Sequence, residues 1–176
     1  RNHLVTRALN DGLPGSFTYA LAHAGNNDHI TFALPAYPAV VKLPGASPST
    51  LIRNLTIKGP GANLLTLSGD FNGDEVPDRQ LFVIRSRVTF EGVTLARGVA
   101  SFGGGLLVES NGTLTLRRCA VVDCVAGQYG GAIDVEGGKP TCGNAALLPQ
   151  HRYNADIRGS IKSTLLRWHP TLSGIS

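Results

Sequence analysis

A chain of 176 residues with 42% hydrophobic residues can bury one sizeable core, and its 22 glycines and 10 prolines exclude an architecture of long helices. Charged residues make up only 16%, below the roughly 25% usual for soluble domains, so surface polarity must come from Ser, Thr, Asn and the backbone. The net charge of +4 invites a nucleic-acid reading, but the surplus sits in the tail: Arg152, Arg158, Lys162 and Arg167 stand against the single acid Asp156. The middle of the chain is mixed in sign, so no nucleic-acid partner is expected.

The chain opens on Arg1-Asn2-His3 without an initiator Met, as a mature or excised fragment would. No stretch approaches the roughly 18 apolar residues of a membrane span, so any membrane attachment is expected through an anchor outside this fragment. Pro14-Gly15 precedes Ser16-Phe17-Thr18-Tyr19-Ala20-Leu21, and apolar residues at 17, 20, 21 and 24 predict a short helix capped by Ser16 or Gly15. Gly25-Asn26-Asn27-Asp28 ends it, and Ile30-Thr31-Phe32-Ala33-Leu34 then alternates like a strand.

From residue 55 onward short apolar–polar–apolar triplets recur. The first set is Leu55-Thr56-Ile57, Leu65-Thr66-Leu67 and Leu81-Phe82-Val83-Ile84, with an inserted loop at 70–80. The second holds Val88-Thr89-Phe90, Val93-Thr94-Leu95 and Leu106-Leu107-Val108; the third holds Leu114-Thr115-Leu116, Cys119-Ala120-Val121 and Ile133-Asp134-Val135. Val88 and Leu114 lie 26 residues apart and Phe102 and Tyr129 lie 27 apart, so one residue has been added before the second aromatic. Triplets this short suit one side of a coil that pairs with the coils above and below, not an independent hairpin sheet. Phe102-Gly103-Gly104-Gly105 and Tyr129-Gly130-Gly131-Ala132 fall at corresponding corners. Glycine permits the sharp corner, and the two aromatics are expected to stack one turn apart. The expected fold is therefore all-β: a right-handed parallel β-helix with a short N-terminal capping helix. Residues 1–50 form the cap and first strands, 51–138 the coils, and 139–176 an irregular tail that breaks the rhythm, with Trp168 as a candidate cap.

These residues resemble a family. Pro14-Gly15-Ser16-Phe17-Thr18-Tyr19-Ala20-Leu21, followed by Asp28-His29-Ile30-Thr31-Phe32-Ala33-Leu34-Pro35, is similar to the N-terminal cap of bacterial β-helix surface proteins. Leu55-Thr56-Ile57-Lys58-Gly59-Pro60-Gly61-Ala62 is similar to that family's next strand, and Gly130-Gly131-Ala132-Ile133 resembles the repeat of polymorphic outer-membrane proteins. The resemblance spans residues 4–138 and implies a secreted or surface-anchored bacterial protein. Two departures stand out: Phe17-Thr18-Tyr19 replaces the usual Leu-Arg-x, and Cys124 stands where the repeats carry an Asn that would ladder inside a turn.

Chemistry is sparse. Asp70-Phe71-Asn72-Gly73-Asp74-Glu75-Val76-Pro77-Asp78 places oxygen ligands at positions 1, 3, 5 and 9 of a Ca²⁺-type loop, which makes Asp70, Asn72, Asp74 and Asp78 the candidate ligands. Glu75 replaces the glycine of the sharp turn, and Leu81 stands where a bidentate Glu is needed. The acids available for catalysis are Glu109, Asp123, Asp134 and Glu136; Asp134 is expected to point outward, with Leu107 as its neighbour one coil earlier, so no acids pair across those coils. Arg117 and Arg118, adjacent on a strand, are expected to face opposite sides. Cys119, Cys124 and Cys142 have no metal spacing, and Cys119 is expected to pack inward. The expected role is surface display: a monomeric solenoid for adhesion or carbohydrate recognition, with carbohydrate or a host or cell-surface protein as partner and no cofactor beyond Ca²⁺. The alternative is a polysaccharide lyase or glycoside hydrolase on the same scaffold.

Overall fold

The structure is a computed structural model that describes residues 1–147, 157–158 and 162–168, with side chains through Lys139. The chain opens with β1 (Asn2–Val5) and α1 (Phe17–His23). It then lays down repeated sets of strands. The first set is β2 (Asp28–Phe32), β3 (Ala39–Lys42) and β4 (Ser49–Leu51), and the second is β5 (Leu55–Lys58), β6 (Leu65–Ser68) and β7 (Phe82–Ile84). Two four-strand sets follow: β8 (Arg87–Glu91), β9 (Thr94–Ala96), β10 (Val99–Phe102) and β11 (Leu106–Val108), then β12 (Thr113–Arg117), β13 (Ala120–Val122), β14 (Val125–Tyr129) and β15 (Ile133–Val135). The last described strands are β16 (Lys139–Leu147), β17 (Ile157–Arg158) and β18 (Lys162–Trp168).

Each strand pairs in parallel with its counterpart one set later, and from β2 onward none of the described strands pairs with the next strand in sequence. One ladder runs β1-β2-β5-β8-β12-β16, a second runs β3-β6-β9-β13-β16, and a third runs β4-β7-β11-β15-β17. A two-stranded sheet, β10-β14, forms a further flank on the later coils. The molecule is a parallel β-solenoid of about five turns.

Triplet spacing dictates this arrangement. In each triplet the outer two residues point inward and the middle one outward, because side chains alternate across a strand. Stacked coils then line up like with like. Ile30, Ile57, Phe90 and Leu116 form one column, and Val41, Leu67, Leu95 and Val121 a second. Phe82, Leu106 and Ile133 form a third, and every member of the three columns is fully buried. Each such side chain contributes about 1.5–3 kcal/mol through removal from water. The register matches the repeat read in the sequence: Leu114 pairs with Val88, and Tyr129 pairs with Phe102 across a bulge that absorbs the extra residue.

The helix closes one end. Ser16 caps it, its Oγ accepting the Tyr19 N–H at 3.2 Å. Phe17 is fully buried and meets Phe82 edge-on at 6.3 Å and Phe32 at 5.6 Å, so the helix plugs the apolar interior of the first coils. The corner glycines do the work expected of them. Gly103 and Gly130 have φ of 59° and 64°, and a Cβ on Gly104 would stand 2.2 Å from the Val125 carbonyl oxygen.

Several features depart from expectation. β3 and β4 escape sequence reading because Pro35, Pro38, Pro44 and Pro48 break up their alternation. Beyond residue 138 the backbone stays in register, Thr113 with Lys139 and Leu116 with Cys142, although the triplet pattern is lost there. Trp168 ends β18, and its side chain lies outside the described residues. Cys124 is fully buried and its sulfur accepts the Gly98 N–H at 3.4 Å. Burial pushes its thiol up to about 12 and also raises that of Cys119, which packs inward as expected.

Candidate functional site

The loop inserted at residues 70–80 organises itself. Asp70 accepts the N–H groups of Gly73 and Glu75, and Asp78 accepts those of Phe71 and Asn72. Asn72 accepts the Asp74 N–H, and Asp74 accepts that of Val76. Six consecutive amides, 71 through 76, are thus satisfied by the four side chains that the sequence marks as calcium ligands. Asp70 is buried and the other three are exposed. This lacing makes the loop a defined protrusion and carries Glu75, at φ 68°, outward from its tip.

The loop's exit is pinned to the coil. Arg79 is buried, and its guanidinium donates to the Pro44 carbonyl, to Ser49 Oγ at 3.1 Å and to the Gln80 carbonyl at 3.1 Å. Burial lowers its pKa, and the surrounding carbonyl and hydroxyl oxygens compensate the cation. Gln80 Nε2 donates to the carbonyls of Phe102 and Gly103, at 2.8 and 2.6 Å. Arg79 also bridges to Gly98 in parallel fashion, and its carbonyl accepts the Val99 N–H at 2.8 Å. The end of the loop therefore runs beside β10 and fixes the position of the Phe102 corner.

This docking encloses a cleft of about 290 Å³ lined by Glu75, Pro77, Arg97, Asp123 and Val125, just below the usual size range of small-ligand sites. Glu75 and Pro77 come from the loop. Arg97 and Asp123 occupy equivalent corners of successive coils, since Ala96 pairs with Val122 and the Arg97 N–H donates to the Val122 carbonyl. Both are left-handed, with φ of 55° and 52°. Arg97 reaches Glu75 at 3.6 Å, and Asp123 is exposed. From Val125 the strand β14 leads to Tyr129, which is 44% exposed. Its ring lies 6.1 Å from that of Phe102 with only 23° between the planes, as the sequence repeat predicts.

The other acids are arranged differently. Glu109 is engaged by Arg85 through paired contacts of 2.7 and 2.9 Å, and the hydrogen bonds from Arg85 hold its carboxyl below the usual range. Asp134 sits opposite Leu107, as expected, but it is fully buried and not displayed. The left-handed Gly130 corner folds back over it, so close that a Cβ on Gly130 would stand 2.8 Å from the Asp134 Cβ. Arg117 and Arg118 are both exposed, because the chain turns at Arg118 (φ 51°) and the alternation stops there; Arg118 pairs with Glu91. Among the described residues no three His, Cys, Asp or Glu side chains converge as a metal-binding group.

Two further depressions lie elsewhere. One of about 570 Å³ is lined by Leu9, Asp11, Thr18, Lys42, Pro44 and Phe71 among others; the other, of about 220 Å³, lies on the outer face of the longest ladder around His29, Thr56, Arg87 and Thr89. The sequence pairs Phe102 with Tyr129 but names Asp123 only among the available acids and gives no role to Arg97. The one signal available was the 26-residue offset between Arg97 and Asp123.

By fold, the protein is a parallel β-solenoid with an N-terminal helical plug. Comparison with protein-family models, with curated proteins and with solved structures returned no match. No helix among the described residues is long and apolar enough to cross a membrane.

Proposed function

We propose that the chain is a rigid display element of a secreted or cell-surface protein, which presents side chains for recognition of carbohydrate or of a host or cell-surface protein. One observation carries this reading. The inserted loop leaves the coil between β6 and β7 without disturbing register, for Leu67 pairs with Leu95 and Val83 with Leu107 on either side of it. A scaffold that tolerates an ordered protrusion at a corner suits presentation. The test is a binding screen of the whole chain against immobilised glycans and against cell-surface extracts. Binding is the expected result; a chain that binds neither overturns the reading.

A second reading, hydrolysis or elimination on a polysaccharide, is favoured by Glu75 and Asp123 sharing one cleft. Against it, Glu75 is 81% exposed and ion-paired with Arg97, whereas a general acid is usually desolvated. New reducing ends or unsaturated products on incubation with acidic and neutral polysaccharides are the outcome that favours it over display.

Calcium belongs to this proposal as a ligand of the acidic loop, through Asp70, Asn72, Asp74 and Asp78. The ion would have to replace amide hydrogen bonds already formed, so the expected affinity lies near the weak extracellular range of about 10⁻⁴–10⁻³ M. Calorimetric titration of the whole chain measures it, and no heat at millimolar Ca²⁺ removes the site.

A further inference from the structure

We infer that the Glu75–Arg97–Asp123 cleft, continued along β14 to the Phe102–Tyr129 pair, is a binding site for a neutral oligosaccharide. This rests on the display reading and gives it a location and a ligand class.

The surface carries the groups that a sugar chain needs. A pyranose has C–H groups on its faces and hydroxyls around its rim. An aromatic ring face is electron-rich and attracts polarised C–H bonds. Phe102 and Tyr129 supply stacked, nearly parallel rings, and Tyr129, 44% exposed, leaves ring surface open to a sugar. At the other end, carboxylates accept from hydroxyls and a guanidinium donates to hydroxyl and ring oxygens. Glu75, Asp123 and Arg97 place these groups around one cleft, with Pro77 and Val125 as apolar lining. Val125 and Tyr129 pair with Val99 and Phe102, three positions apart on β10, so the two ends of the surface lie about 10 Å apart along the strand, longer than one sugar ring and suited to a short oligosaccharide.

Charge sets the class of saccharide. Two carboxylates surround one guanidinium, and Asp123 has no cation within ion-pair distance among the described residues. A uronate or sulfate entering this cleft meets net negative charge, whereas a neutral hydroxyl finds acceptors. The outer face of the longest ladder differs, since it carries Lys58, Arg87 and Arg117, with Glu91 between Lys58 and Arg117, around a column of Thr56, Thr89 and Thr115.

Backbone conformation supports a role beyond folding. A left-handed corner favours glycine, and other residues there carry a strain cost. One coil earlier the equivalent position is Gly69, for Ser68 pairs with Ala96; it is not left-handed, and a Cβ there would stand 2.2 Å from the Arg97 carbonyl oxygen. Arg97 and Asp123 keep charged side chains in this left-handed conformation, and both line the cleft. The site is also preorganised, because Gln80 pins the Phe102 corner and the loop is laced by its own carboxylates.

The experiment is calorimetry on the whole chain with neutral, uronate-containing and sulfated oligosaccharides of matched length. Neutral ones are expected to bind more tightly than acidic ones. Tyr129→Ala weakens that binding about tenfold and Tyr129→Phe retains it. Asp123→Asn weakens neutral binding several-fold and narrows the gap to acidic saccharides. Tyr129 and Asp123 are exposed, so unchanged melting of the variants confirms that folding is intact. Neutral binding untouched by Tyr129→Ala and Asp123→Asn overturns this site while leaving carbohydrate recognition standing. Preference for acidic saccharides overturns the ligand class. Failure to bind any saccharide overturns the site and also removes carbohydrate from the display reading, which then rests on protein partners alone.

Discussion

The inside of the solenoid and its β10–β14 flank are built from the same repeat but obey different rules. Inside, equivalent positions carry equivalent chemistry: Val41, Leu67, Leu95 and Val121 differ only in apolar shape. On the flank, equivalent positions diverge, with Arg97 and Asp123 occupying one left-handed corner of two successive coils. A column that must exclude water is constrained to stay apolar and close-packed. A corner facing solvent is constrained only in backbone, so its side chains are open to selection for binding. Divergence within a repeat, where the backbone alone repeats, is therefore the mark of a site on this fold.

Four substitutions test that contrast. The largest effect is expected inside. Phe82→Ala removes a fully buried ring that touches both Phe17 of the plug and Phe90 of the next coil, and is expected to destabilise by about 3–5 kcal/mol in a denaturant melt. A loss under about 1 kcal/mol would mean that the columns are loosely packed. Next comes the seam between inside and flank. Gly104→Ala drives a methyl group against the Val125 carbonyl and is expected to cost about 1–3 kcal/mol, with the β10–β14 pairing losing amide protection first in hydrogen exchange.

At the capped end, Ser16→Ala removes the side-chain acceptor for the Tyr19 N–H and is expected to lower stability by about 1 kcal/mol. The smallest effect is expected on the flank itself, and with opposite sign. Arg97→Gly relieves a left-handed arginine and forfeits only an ion pair in which Glu75 is 81% exposed. Stability should rise by up to about 1 kcal/mol, while oligosaccharide affinity falls. A variant that loses stability and keeps affinity would show that Arg97 serves the fold.

The first coil adds a pH test. Hydrogen bonds from His3 (2.8 Å) and from the Gly25 N–H (2.7 Å) hold the Asp28 carboxyl well below the usual carboxylate range. Its contribution is therefore complete above the unfolded value and is lost as pH falls below about 4. Asp28→Asn should flatten the melting temperature against pH on that acid limb alone. An unchanged slope there would remove the pair from the account.

How much was legible beforehand varied with the kind of constraint. Coil stacking, the 26- and 27-residue offsets, the Ser16-capped helix and the Phe102–Tyr129 pair could be read directly, because a buried repeat must reproduce its apolar pattern in the sequence. The strands β3 and β4 could not, because prolines interrupt their alternation and pairing with later coils restores them. Asp134 was misplaced because alternation describes a strand and says nothing of the glycine corner that folds over it.

Sequence by itself determined the coil, since a triplet period with glycine corners leaves few ways to bury so many short apolar faces. Tertiary structure alone decided the cleft. Glu75 and Asp123 are 48 residues apart in the chain and share no motif. They meet only because Arg79 and Gln80 tie the loop's exit to the coil and parallel stacking sets one corner above another. That meeting is a long-range packing outcome, and no local pattern of residues encodes it.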